Sequence, residues 1–395
     1  METRSDDRVV PAAELPRRAD AVVVGGGVMG ASAAYHLAAR GMGDVVLLER
    51  EQFLGAMSTG QCAGGIRHQF ASEINVRLSL QSIAMLERFP DEIGQEIGLR
   101  FDGYLILLSS GENVAAFEEA VEMQHSLGVA TEWIDPNAAA RMVPLLNLDG
   151  VAGATFYQRD GLCDPSSVVQ GYASAARRNG ARIVTEAGVT GVERRAGSFV
   201  VHTPKGAVES PVIVNACGAW APEIGRMVDV EIPIQPVRRQ MAVTTPLQVP
   251  SDFPFTIFFD ESLYFHREGA GILTGQSNRD ESPGYKLEVD PEWETVHFEN
   301  AMGRFPLLES AGVLSRWAGL YEVTPDAQAI FGRVPTVEGL YIMAGFSGHG
   351  FMHGPVAGLL IAEEILDGEA HTVDIAPFRY ERFLDGTLSP EFNVI

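Results

Sequence analysis

Residues 344–355, AGFSGHGFMHGP, set His349 and His353 four positions apart among four glycines, ahead of an apolar run, VAGLLIAEEIL. Two chemistries are open to such a stretch. The imidazoles could share a metal ion, or the bare backbone could itself bind a flat polar ring. Proline is favoured in the first turn of a helix, so Pro355 predicts a helix beginning there, with Gly368 beyond its end. That start leaves both histidines in the preceding loop, off a common helical face, and no third ligand stands nearby in sequence. No metal site is expected. A glycine-lined helix start instead offers unpaired N–H groups and the positive end of the helix dipole.

Two more junctions have the same character. Residues 20–50 run from a β-branched stretch, AVVV, through Gly25-Gly26-Gly27-Val28-Met29-Gly30 and an alanine-rich segment ending at Gly41 into DVVLLE. This reads as strand, glycine turn, helix, strand. Gly25 permits the tight turn, Gly27 lets backbone approach a pyrophosphate, and Gly30 lets the helix pack closely on the sheet. Glu49, ending the second strand, is placed to hydrogen-bond a ribose hydroxyl. One bound dinucleotide is predicted, and the motif alone does not separate NAD from FAD. Further on, PVIVNACGAW reads as a strand ending in the small residues Ala216, Gly218 and Ala219 before Trp220, and GLYIMAGFSGHG as another ending in glycines. Open α/β sheets bind ligands at the carboxyl ends of their strands. The junctions 25–30, 216–220 and 345–354 are therefore expected to meet on one ligand.

The chain that must position them has 395 residues, 46% hydrophobic and 21% charged, enough for two domains or for one large domain with a second built from its insertions. Its 29 Lys+Arg against 52 Asp+Glu give a net charge of −23. Nucleic acid and anionic membrane surfaces need a basic face, so neither is an expected partner. An anionic substrate would have to be held by particular arginines. No stretch approaches the apolar length of a membrane span. Cys62, Cys163 and Cys217 form no CxxC pair, and residues 1–19 have no apolar core of a signal peptide. The expectation is a cytoplasmic protein with a short, loose N-terminus.

GGGVMG with LLER, then MSTGQCAGGIRHQF, VNACGAWA, YEVTPDAQAIFG and AGFSGHGFMHGPVAG follow one another between about residues 20 and 385. In this order they resemble the FAD-dependent amine and amino-acid oxidoreductases of the D-amino-acid oxidase fold group, and within it the branch of the sarcosine oxidase and L-proline dehydrogenase β-subunits. The resemblance implies an α/β protein, α+β overall. A Rossmann-like FAD-binding domain would come in pieces, 20–98, 138–228 and 323–395, with a β-sheet-rich substrate domain from 99–137 and 229–322. Residues 100–135 do read as strand, helix and strand, and 231–325 as β-rich and hairpin-like.

The resemblance also implies the cofactor contacts. From the first unit come Gly25, Gly27, Val28, Met29, Gly30, Glu49 and Arg50. Ser58, Thr59, Ala63, Gly64 and Gly65 follow, then Val189, Ala216, Gly218 and Trp220. Gly345, Ser347, Gly348, His349, Gly350, Phe351 and Met352 would form the loop around the flavin ring. Oxidation in such enzymes moves a hydride from the carbon beside an amine to flavin N5, leaving an imine that water hydrolyses. Arg67 matches an arginine that grips the substrate carboxylate, a task suited to a planar two-pronged donor. Tyr321 matches an active-site tyrosine, and His349 is the third catalytic candidate. His68, His266 and His297 read as structural.

Departures from the pattern shape the expectation. Met352 stands where the oxidases carry a lysine, so one carboxylate clamp is missing. Gln61 and Gly319 stand where relatives attach flavin through histidine or cysteine, so the FAD is expected to be non-covalent. The segment 271–275, GILTG, lacks the oxygen-activating lysine of the monomeric oxidases, which favours an acceptor other than oxygen. The resulting expectation is a dehydrogenase for a small carboxylated amine: proline, sarcosine or a related N-alkyl amino acid. Its electrons would pass to an acceptor subunit or a quinone, and a hetero- or homo-oligomer is compatible with it. A hydrogen-peroxide-producing oxidase and a non-catalytic FAD-containing assembly or scaffold protein stay open as alternatives.

Overall fold

A computed structural model describes residues 15–394, so the expected loose N-terminus lies largely outside the described residues. Ala21–Val24 is a central strand of a six-stranded sheet. Across that sheet the order is Ile330–Arg333, Leu340–Ala344, Ile213–Asn215, Ala21–Val24, Val45–Leu48 and Arg182–Val184. Every neighbouring pair is parallel except the first. Strands such as VVLL are buried along their whole length, as a parallel sheet covered on both faces requires. One face carries the helices Val28–Ala39, Pro165–Arg178 and Gly350–Leu366. The other packs against the meander of Gly191–Arg195, Ser198–Thr203 and Gly206–Ser210 and the short helix Ala221–Arg226. The strands leading into the three bare junctions are immediate neighbours, so their carboxyl ends open side by side.

The helix expected to begin at Pro355 begins instead at Gly350, with His349 as its N-cap and Pro355 inside it. The short helix Arg382–Asp385 follows it. The proline forfeits one backbone bond, to the carbonyl of Phe351, close to an end where several N–H groups are unpaired anyway. Packing outweighs that loss. A Cβ on Gly354 would stand 2.5 Å from Val28 Cγ2, and one on Gly358 would stand 2.1 Å from Ser32 Oγ. The two helices thus approach backbone to backbone, and Ser32 Oγ donates to the Pro355 carbonyl at 3.1 Å.

The second sheet has eight strands, in the order Val313–Val323, Gln235–Thr244, Gly271–Gln276, Leu263–Glu268, Phe255–Phe258, Tyr104–Leu108, Gly153–Tyr157, Glu132–Ile134. The two insertions fuse where Tyr104–Leu108 runs parallel to Phe255–Phe258. Strand, helix and strand occur where expected in the first insertion, at Tyr104–Leu108, Gly111–Ser126 and Glu132–Ile134. Its boundary at 137 does not hold. Gly153–Tyr157 joins this sheet, and Ala139, Val143 and Val151 share a core with Leu105, Leu107 and Phe265. The intervening helix, Pro136–Met142, buries Ala139 in that core. Among the described residues no helix is long and apolar enough to cross a membrane.

Candidate active site

A cleft of about 1270 Å³, its solvent-open part included, runs along the carboxyl ends of the neighbouring strands. It touches all three bare junctions, an extent that suits an elongated ligand. Gly25, Gly27, Val28 and Met29 line it from the first junction, and Ala216, Gly218 and Trp220 from the second. Gly348, Gly350 and Phe351 do so from the third, and Ser58, Thr59 and Val189 complete the expected set. Gly30 lies behind this wall, where a Cβ would fall 1.8 Å from the Gly25 carbonyl oxygen. Gly345 is also off the wall; its N–H donates to Glu322 Oε2 at 2.7 Å.

Glu49 ends its strand as expected, and its carboxylate is held rigidly at the cleft. Its two oxygens accept from Gly26 N at 2.6 Å and Glu51 N at 2.7 Å. Arg50 lies 4.4 Å over the Trp220 ring, and together they close one end. Glu322, between the second and third junctions, went unnoticed in the sequence. Burial pushes its carboxyl up to about 7.

At the flavin-loop end the cleft opens into a second cavity, sharing Ser58, Cys62, Leu320, Tyr321, Gly348 and Phe351 with it. Ala63, Gly64, Gly65, Ser347, His349 and Met352 line this cavity, with Arg67. Arg67 is 5% exposed, which rules out a surface arginine. Its guanidinium stacks 4.0 Å over Phe70 and donates to the carbonyls of Gln69 and, at 2.5 Å, Asn393. One N–H on each terminal nitrogen remains for a ligand. Asp160 holds this segment, accepting from His68 N and Gln69 Nε2 at 2.7 and 2.9 Å. The chain's last residues hold it too: Glu391 accepts from Ala71 N and Ser72 N, both at 3.0 Å. Nothing in PEFNVI signalled that role.

His349 is 2% exposed, and burial, with Arg67 nearby, drives its pKa down to about 3. The ring is neutral and neither nitrogen has a partner. His353 lies one turn along the helix, its ring 5.3 Å from that of His349, and pairs with Ser79 Oγ at 3.0 Å away from the cavity. Among the described residues no third metal-ligating side chain joins them.

Sequence reading also missed Arg239. It sits opposite Gly319 on paired strands, lies 5.1 Å from the Tyr321 ring, and its buried Nε has no partner. Alternation along a strand was the available signal: in VRRQ one arginine had to face inward. GILTG supplies no lysine, but the adjacent strand brings the cation Arg239 to this cavity. Gln61, whose Oε1 is also orphaned, lies against Gly319. The two positions where relatives attach flavin thus touch each other, and neither carries a nucleophile. Buried polar atoms without partners are rare. Here Arg239, Gln61 and His349, which carry such atoms, all line one cavity.

The family described as DAO, FAD dependent oxidoreductase, matches residues 20–364. The chain belongs to this family. It is an FAD-dependent oxidoreductase by that membership, and its bare cleft fits the dinucleotide. The chain is 32% identical over 396 residues to the mitochondrial dimethylglycine dehydrogenase of Rattus norvegicus, covering 94% of this chain and 46% of that protein. It is 29% identical over 392 residues to the mitochondrial sarcosine dehydrogenase of Mus musculus, covering 94% and 42%. The chain therefore spans less than half the length of these relatives. Among solved structures, L-proline dehydrogenase from P. horikoshii superposes with a TM-score of 0.89 at 34% identity, covering 95% of this chain and all of that one.

Proposed function

We propose that this protein oxidises a small carboxylated secondary amine, such as proline, sarcosine or a related N-alkyl amino acid, to an imine that water hydrolyses. The observation that carries the reading is the pair of guanidinium-bearing residues, Arg67 and Arg239, lining a cavity continuous with the dinucleotide cleft. FAD, held without a covalent bond, supplies the hydride acceptor. Arg67 orients a carboxylate through its two remaining N–H groups. Among the described residues no acidic side chain lines the cavity, so none of them holds an ammonium there, and guanidiniums oppose one. The amine accordingly enters as the free base. His349, kept neutral by burial, lines the cavity without adding a charge to it. Phe255, Ile257, Met241 and Met352 exclude water from the reacting carbon.

Electrons pass to an acceptor other than oxygen, as the dehydrogenase names of the relatives suggest. The buried charge of Arg239 favours a second reading, a peroxide-producing oxidase. A reducing compartment such as the cytoplasm fits the three free cysteines. Anaerobic mixing with D-, L- and N-methyl amino acids tests the function: one class should bleach the flavin. A flavin that none bleaches refutes amine oxidation and leaves a scaffold. Fast reoxidation of the bleached protein by air selects the oxidase.

A further inference from the structure

One wall of the cavity, beside Arg67, comes from residues 391–394. Beyond Asp385 the described chain has no helix or strand, yet Glu391 and Asn393 are buried. Individual contacts fix this segment in place of a strand ladder. Glu391 N donates to the Asp326 carbonyl at 3.0 Å, and its carboxylate accepts from Ala71 N and Ser72 N. Asn393 Nδ2 donates to the Gln69 carbonyl at 2.8 Å, and the Phe392 ring meets Phe117 edge-on with centroids 5.9 Å apart. Val394 follows, half-buried, and lines the cavity.

Arg67 sets where Val394 stands. The Asn393 carbonyl that accepts from Arg67 Nη2 at 2.5 Å is bonded to the Val394 nitrogen, so Val394 lies directly beside the guanidinium. A carboxylate on the free N–H groups of Arg67 brings the carbon that bears it to the same place. In an amino acid that carbon also carries the side chain. The opposite wall, on the substrate sheet, has no slack: a Cβ on Gly65 would fall 1.8 Å from Tyr104 Oη, and Tyr104 stacks on Phe255 at 4.3 Å. Met241 and Met352, also in the lining, are unbranched and can rearrange around a ligand. Val394 is branched at Cβ and stiff, so it keeps its volume where it stands.

We propose that Val394 is a specificity-determining residue: it admits hydrogen or a ring methylene on the carbon that bears the carboxylate and excludes a branched chain there. The assignment rests on the reading of this cavity as the amine site with Arg67 as the partner of the carboxylate. It narrows the substrate class to amino acids that are unsubstituted or ring-closed at that carbon.

The FAD-loaded protein can be titrated with (methylthio)acetate and with 2-(methylthio)-4-methylpentanoate. Both are thioethers in which sulfur replaces the amine, and they differ in one isobutyl branch beside the carboxylate. Perturbation of the flavin absorption spectrum reports binding. Overpacking against a stiff wall predicts that the branched probe binds about 10- to 100-fold more weakly. Val394→Ala should bring that ratio toward one by tightening the branched probe alone, and Val394→Leu should widen it. Glu391→Gln loosens the support of Arg67 and should instead weaken both probes together, which separates size selection from positioning. Equal affinity for the two probes in the wild type, or a ratio unchanged in Val394→Ala, overturns the assignment; amine oxidation stands if an amine still bleaches the flavin. An unchanged ratio in Val394→Leu decides in the same way if the alanine variant fails to hold FAD. A flavin that neither probe perturbs overturns the assignment, and one that no amine bleaches either overturns the reading beneath it.

Discussion

Gly348 is where the flavin loop and the substrate sheet come closest, and alanine there should uncouple them. A Cβ on Gly348 would stand 2.3, 2.6 and 2.9 Å from three atoms of the Tyr321 ring. Ordinary carbon contacts are about 3.5–4.0 Å, so the ring or the loop must give by roughly 1 Å. Overpacking of that kind costs about 1–3 kcal/mol. The backbone adds a penalty, because φ at Gly348 is +101°, in the region that costs a side-chain-bearing residue about 1–2 kcal/mol. The total is about 2–5 kcal/mol. If half of it falls on cofactor binding, the Kd for FAD rises about 5- to 60-fold. Gly350, at first sight the more exacting position, is more tolerant: its Cβ would meet Phe346 and Met29 side-chain atoms at 3.1 and 3.3 Å. The assay is titration of apoprotein with FAD in Gly348→Ala, Tyr321→Ala and the double variant. Removing the ring removes the steric part and leaves the backbone part, so, with half of it falling on cofactor binding, the two substitutions should couple by about 0.5–1.5 kcal/mol in FAD affinity. An unchanged Kd in Gly348→Ala, or the same penalty in both backgrounds, refutes the packing argument.

Two titrating groups predict opposite pH trends. Glu322 has its carboxyl raised to about 7, so folding takes up a proton and apoprotein stability falls as pH rises from about 4.5 through 7. The loss amounts to about 3 kcal/mol, and Glu322→Gln should flatten it in denaturant titrations at pH 5 and 8. His349, lowered to about 3, stabilises fully above about 6.5 and loses that contribution as pH falls. About 2–3 kcal/mol should be gone by pH 4.5, and a His349→Asn variant should show a correspondingly shallower acid limb. Glu391→Gln should cost about 1.5–3 kcal/mol in thermal unfolding, because Ala71 N, Ser72 N and Ser72 Oγ lose a charged acceptor. The same change should weaken carboxylate binding, since Asn393, tied to Glu391 Oε1 through its N–H at 2.9 Å, supports Arg67.

Local information was sufficient for elements whose pattern is short-ranged. The glycine turn at 25–30, the acid at Glu49 and the strand–helix–strand of 100–135 depend on residues a few positions apart, and periodicity with turn chemistry reports such features directly. Arg67 and Tyr321 were found because they lie inside recognisable motifs. The start of the helix at Gly350 was misplaced because Pro355 is a strong local stop, whereas Gly354 and Gly358 act only once Val28 and Ser32 are packed against them. The substrate-sheet boundary moved from 137 to Tyr157 for a similar reason, since Gly153–Tyr157 becomes a strand by pairing with Tyr104–Leu108.

The chain order therefore determined membership of an FAD-dependent family and which backbone stretches line the cleft. Tertiary structure alone decided the electrostatics of the cavity beside it. Whether an arginine is matched or bare depends on where distant acids fall: Arg238 meets Glu281 and Asp290, some 40–50 residues away, while Arg239, one position along, turns to a wall with no acid. Charge compensation is a property of three-dimensional neighbours, and adjacent residues on a strand have different ones.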